Sequence, residues 1–447
     1  MLQVAQKTDD YLSRFAQLEA RLAGDGATFL LPIRKKAIER FAQLGFPTTR
    51  QEDWRFTNVA PIARTAFGAA TGDGEAVEAQ QLATSALMQA DWPRLVFVNG
   101  YVAPQLSSVG KLPGGARLES LAAVAHADPE ALQQHLAGYA DYQDHPFTAL
   151  NTAFMEDGAY VHIPKGVYLE QPIHLVFVST ADAEPVVSHP RNLIVAETGS
   201  QATIIESYLG LGDGVYFTNA VTEIVVGENA VIDHYKVGRE AQQAYHIGTT
   251  QIYQDRSSNA SSHAVTIGGA LVRNDINTVL DGEGAQCTLN GLYLVSGRQH
   301  VDNHLRVEHA KPHCDSREFF KGVLDGHGKA VFTGRIIVRK DAQKTDAKQT
   351  NMNLLLSDHA QVDTKPQLEI FANDVKCTHG ATIGQIDENA MFYLRSRGLS
   401  EPASRSLMVY AFASEAIDRI QPQLLRAQLR QTLFDWLPEG HRLQDAR

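Results

Sequence analysis

Hydrophobic and polar positions divide the chain into three textures. In the first, Tyr11, Phe15, Leu18 and Leu22 recur at spacings of four, three and four, the period of one helical face, and Gly24 ends the run. Ile33, Ala37, Phe41 and Leu44 repeat the pattern after Pro32, and Gly45 with Pro47 closes it. Residues 58–90, rich in Ala, Gly and Thr, carry little signal. LVFVNGYV (95–102) predicts a hairpin on an Asn99-Gly100 turn. Residues 116–140 return to a helix-like composition.

From about Asn151 the helical period disappears, and short runs rich in Val, Ile and Thr alternate with Gly, Asn and Asp. Within this second texture a small turn motif recurs: a polar residue or glycine, an alanine, then an apolar run. Its alanines are Ala202, Ala230, Ala260, Ala285, Ala330, Ala360 and Ala390, at steps of 28, 30, 25, 45, 30 and 30 residues. A step near 25–30 residues with strand-like content predicts a solenoid, in which each rung buries its apolar face only by stacking on the next. The expected fold is therefore mainly β, a β-helix over 151–390 between a mostly helical segment with a small hairpin (1–150) and a helical segment (391–447). A β-sandwich is the structural alternative, but it does not call for so regular a step. The 45-residue step predicts an insertion around 287–325. In the third texture, Ile417, Ile420 and Leu424 are followed by Leu425, Leu429, Leu433 and Leu437, with a boundary at Pro422. This amphipathic piece is expected to cap the solenoid or to dock a partner.

Size and charge narrow the function. At 447 residues the chain exceeds one ordinary compact core. A net charge of -11 argues against a dominant role on nucleic acid or anionic membranes. No apolar run approaches the ~20 residues of a membrane span, and MLQVAQKTDDYLSRF has neither the basic start nor the apolar stretch of a signal peptide. Cys287, Cys314 and Cys377 are few, odd in number and far apart, which fits free thiols in a reducing cytoplasm.

Several chemistries fail on spacing. GHGKA (326–330) has Val323 where a phosphate loop needs its first glycine and Ala330 where it needs Ser or Thr. GEGAQC (282–287) lacks the third glycine of a dinucleotide fingerprint. There is no G-x-S-x-G elbow and no H-E-x-x-H helix. A β-helix acting on polysaccharide would draw on acids such as Asp341, Asp346 and Asp363, which are scattered among lysines. HAKPHC (309–314) offers His309, His313 and Cys314 as potential zinc or iron ligands, with no second cluster to complete a tetrahedral site. DVKCTHGATIG (374–384) is sharper: on a strand, Cys377 and His379 share one face and make half of a metal site. The same alternation also suits a strand that merely buries Cys377 as a small apolar side chain.

The run 342–399 contains AQKTDA, NLLLS, T-x-P-Q-L-E-I, KCTHGAT and FYLRSRG in order, and it closely resembles the SufB/SufD family of iron–sulfur cluster assembly scaffolds. RQEDWRFT (50–57) resembles an N-terminal signature of the SufD branch, and LNTAF (150–154) the start of its core. SufB proteins carry a Glu-His-Glu pattern where this chain has Lys376-Cys377-Thr378-His379, so the resemblance is to SufD. It implies a right-handed parallel β-helix between helical ends, and a complex with SufB and the ABC-type ATPase SufC. SufC would dock at about 396–447. By the same resemblance, His379 and then Cys377 lie near the SufB–SufD interface, where a transient iron–sulfur cluster forms with ligands from both chains. The implied role is a non-catalytic scaffold. Complexes of the family include ones that bind reduced flavin, but nothing in this sequence identifies a flavin site. Exposed β-edges also predict a homodimer when the partner is absent.

Overall fold

The structure, a computed structural model, describes residues 2–22, 28–70, 77–82, 86–89, 91–181 and 184–438. The expected helix stop at Gly24 lies outside them.

The middle of the chain is a β-solenoid of about 8 turns. Its two parallel sheets are built from alternate strands: sheet I runs from Ala159–Ile163 to Gln361–Ile370, and sheet II from Ile173–Thr180 to Lys376–Gly384. Register repeats from rung to rung, with Val231 pairing with Gln201 on one side and Asn259 on the other. Side chains alternate across each strand, so every second residue enters the space between the sheets. On sheet II one inward column reads Ala202, Ile232, Ala260, Cys287, Ser316, Ala347, Cys377. A second corner column aligns Ala285 with Cys314, each one residue before the paired Gln286 and Asp315. All three cysteines thus occupy small-residue positions of the repeat. That explains why Cys287 and Cys314 are buried and why burial pushes both thiols up, Cys287 to about 12.

The repeat was legible, but the insertion expected at 287–325 is absent. Strands Gln286–Val295, His300–His309, Asp315–Leu324 and Lys329–Val338 follow one another with unbroken register. Ala285 precedes a strand of sheet II, whereas Ala330 lies in a strand of sheet I, so the long step is a rung and a half. Ala390 is not a corner either; it sits in the helix Glu388–Ser396.

The two ends of the solenoid differ. At the first rung, the strand Arg94–Val98 pairs with Ile173–Thr180 and turns back at Asn99-Gly100, both at positive φ, into Tyr101–Val102. This is the expected hairpin, and it extends sheet II. Residues 117–120, inside the stretch expected to be helical, instead form a strand antiparallel to Ala159–Ile163. The helices Leu121–Ala127 and Pro129–Gln133 follow it. The helices Leu2–Leu22, Leu30–Leu44 and Pro146–Phe154 pack with Phe217, Ile247 and Leu271 on the outer face of sheet I. Gly45, at φ 63°, closes the second of them by donating its N–H to the Phe41 carbonyl.

The C-terminal helices do not cap the last rung. Glu401–Ile417 and Gln423–Trp436, with Pro422 at the boundary, bury Val409, Ala413, Leu425, Leu429 and Leu433 against Tyr235, Val265, Leu292 and Val323 on the outside of sheet II. Lys321 fixes the first of them by donating to the Phe412 carbonyl at 3.0 Å and pairing with Glu415. The final strands Gln361–Ile370 and Lys376–Gly384 each pair on one side only. No helix of the described residues is long and apolar enough to cross a membrane.

Candidate functional site

The open rung places Cys377 beside Ala347 and His379 beside Gln349. Both side chains project from the inward face of sheet II, as strand alternation predicts, but no further rung covers them. Cys377 is half-buried and His379 exposed. Burial pushes the Cys377 thiol up, and the Ala347 backbone partly offsets this. The free thiol is therefore protonated at neutral pH, and binding a metal there must displace a proton. Gly380 and Gly384 on the same strand have nothing within 4 Å of a notional Cβ, so the outer side of this edge is open space.

Exposed apolar side chains mark the last rung and the helix that follows it. Ile370 is 40% exposed, Phe371 60%, Ile383 48%, Phe392 74% and Tyr393 57%. Unpaired backbone donors and acceptors beside exposed apolar side chains are a template for another β-edge.

The other candidates separate. His309 points inward and bonds Ser316 at 2.9 Å, and burial lowers its ring to about 4. Cys314 bonds the Gly282 carbonyl at 3.2 Å, and His313 holds a corner at φ 60°. Among the described residues, no group of three or more His, Cys, Asp and Glu side chains is placed to hold a metal ion, so HAKPHC makes no site by itself. Asp346 opens a strand of sheet II and pairs with Arg317 at 3.1 Å, whereas Asp363 lies in sheet I.

What sequence reading missed is the polar interior. Glu206, on the inward face, bonds His234 at 3.2 Å and Tyr208 at 2.9 Å. Lys236, beside it in register, donates to Asn274 at 3.0 Å, and burial lowers its ammonium to about 8. Glu240 takes His246 at 2.7 Å and Tyr216 at 2.6 Å. Nearer the open end stands Glu318, 2% exposed, whose carboxyl burial pushes up to about 8. The only available signal was a polar residue on a strand's inward parity, which looks the same as an outward one until the register is known.

Glu318 yields a pH prediction. Its folded value lies above the unfolded one near 4.3, so its stabilising contribution is complete below that value and is lost as pH rises toward about 8. Glu318→Gln, which cannot ionise, is expected to gain on the wild type by up to about 1.4 kcal/mol per pH unit across this window. Urea unfolding at several pH values checks it; parallel curves would count against a buried neutral carboxyl.

Comparison with known proteins agrees with this architecture. Residues 177–412 match the model for the SUF system FeS cluster assembly, SufBD core domain, and residues 5–175 that for the SufBD protein N-terminal region. The chain is 36% identical over 421 residues to an iron-sulfur cluster assembly SufBD family protein of Synechocystis sp., covering 92% of each. It is 32% identical over 413 residues to the iron-sulfur cluster assembly protein SufD of Escherichia coli, covering 92% of this chain and 94% of the other. The chloroplastic protein ABCI7 of Arabidopsis thaliana is 28% identical over 442 residues, or 96% of this chain and 89% of the relative.

Proposed function

The chain belongs to the SufBD family of iron–sulfur cluster assembly proteins and is SufD-like within it, and from that premise we propose that it is a non-catalytic scaffold whose open last rung joins a SufB-like solenoid. The observation that carries this reading is the asymmetry of the ends. The first rung is extended by three further strands, while the last is unpaired, carries exposed apolar side chains, and bears Cys377 and His379. A SufB-like chain that continues the sheets would cover both donors and add its own, completing a site to which this chain supplies one sulfur and one nitrogen ligand. The cluster is cargo, assembled there and passed on. A SufC-like ATPase would dock on the C-terminal helices, within about 396–447, of which 439–447 lie outside the described residues. Its nucleotide cycle would act on the interface.

The test is anaerobic co-expression with SufB-like and SufC-like partners, followed by iron and sulfide analysis of the purified complex. His379→Ala is expected to lower cluster content at least about tenfold, since the site loses a ligand, with the fold of this exposed edge unchanged. Equal cluster content in both complexes would remove Cys377 and His379 from the site.

A further inference from the structure

One inward column of sheet II carries Glu318, Gln349 and His379 on three successive strands. Glu318 is 2% and Gln349 1% exposed. Gln349 Nε2 donates to Glu318 Oε2 at 2.5 Å. The carbonyl oxygen of the neutral Glu318 carboxyl accepts here, so it takes the NH2 end of the amide and leaves the amide carbonyl for something else. That carbonyl, Gln349 Oε1, is enclosed and without a hydrogen-bond partner among the described residues. A buried acceptor left unpaired is costly, so this one calls for a donor.

The amide is also held in place from across the interior. Gly334 of sheet I faces it, and a Cβ there would lie 2.0 Å from Nε2 and 2.8 Å from Oε1. The absence of a side chain at this position is what lets the amide lie against the opposite strand. The next residue in the column, on the last described strand of sheet II, is His379. Residues paired in register project to the same face.

We propose that Gln349, anchored on Glu318, is a positioning residue for His379: its free carbonyl oxygen accepts one imidazole N–H and so fixes the tautomer whose other nitrogen is free to bind iron. The inference rests on the reading of Cys377 and His379 as a shared assembly site. Metal-binding imidazoles commonly donate their second N–H to a carbonyl or carboxylate, which sets ring orientation and basicity.

The experiment uses the full chain, labelled with nitrogen-15 in histidine and free of metal. The His379 ring signals are assigned by their loss in His379→Ala. Wild type is expected to show one dominant tautomer, and Gln349→Met, which keeps the volume but offers no acceptor, a mixed pair. Glu318→Gln is expected to keep the single tautomer, because its side-chain carbonyl still accepts from Gln349. If Gln349→Met does not fold, Gly334→Ala, which displaces the amide, supplies the same readout. Unchanged His379 signals in Gln349→Met, or in Gly334→Ala, would overturn the proposal. The tautomer is read without partner or cluster, so its failure is distinct from failure of the shared-site reading, which the cluster content of the His379→Ala complex decides. If both hold, Gln349→Met is also expected to weaken ferrous-iron binding by the complex about 10–100-fold.

Discussion

Arg273→Met is expected to destabilise the chain by about 3–5 kcal/mol, the cost of leaving buried carboxylates without their cation. Arg273 sits on the outer face of sheet I and bonds Asp275 at 2.7 Å, Asp302 at 2.7 Å and the Asp53 carbonyl at 2.7 Å. Its guanidinium also stacks 3.9 Å from the centre of the Trp54 ring. Thr57 donates to Asp302 at 2.6 Å, and Glu52 pairs with Lys365. RQEDWRFT is thus a clamp that fastens the N-terminal segment across several rungs. Arg273→Lys is expected to fail nearly as badly, because an ammonium cannot serve two carboxylates, a carbonyl and a ring together. The effect carries a pH signature. The His304 ring beside Asp53 holds its carboxyl well below the usual range, and Asp275 is also lowered, the upward push of burial being outweighed by Arg273 and His304 together. Stability from such groups is present above the unfolded value near 3.9 and is lost as pH falls. Urea unfolding should therefore show the gap between wild type and Arg273→Met narrowing below about pH 4. Limited proteolysis should show cleavage within residues 28–60 of the variant only.

How much of this was legible depends on whether the physical signal is local. Strand alternation and stacking require small residues at regular corners, so the alanine step showed the solenoid. The same signal misled at Ala285 to Ala330, because both sheets carry equivalent corners and a sequence does not say which sheet a corner serves. Leu425, Leu429 and Leu433 gave the helix and its apolar stripe, but not the surface it covers. The stripe meets the side of sheet II, so of the two expected roles, cap or docking surface, the described helices do not cap the last rung. Cys377 and His379 were legible as same-face neighbours because two residues on one strand share a face whatever the rest of the fold. Glu318 and Gln349 were not, since they join His379 only through register between strands about thirty residues apart in sequence. RQEDWRFT was legible as a resemblance alone; its partners Arg273, Asp302 and Lys365 lie more than two hundred residues away.

The second large effect is expected at the open edge. Ile383→Lys combined with Phe392→Asp should lower capture of a SufB-like partner at least about hundredfold, if each anchor carries the ~1.4 kcal/mol or more of a central interface residue. Ile383 is on the inward parity of the last strand, and lysine there places a charge where a continuing rung would have to bury it. Phe392, the most exposed of these apolar side chains, projects from the helix that follows the strand. Neither side chain is buried in the free chain, so its unfolding free energy should stay within about 0.5 kcal/mol of wild type. A loss of capture with stability kept would place the partner on this edge. Capture at wild-type strength would move the interface elsewhere and leave the unpaired rung without an occupant. If two copies of the free chain meet through this edge, their association should respond in the same direction, because the same unpaired strands would be blocked. Sedimentation of the free double variant beside wild type separates a homodimer built on this edge from one built on the helices packed against sheet II.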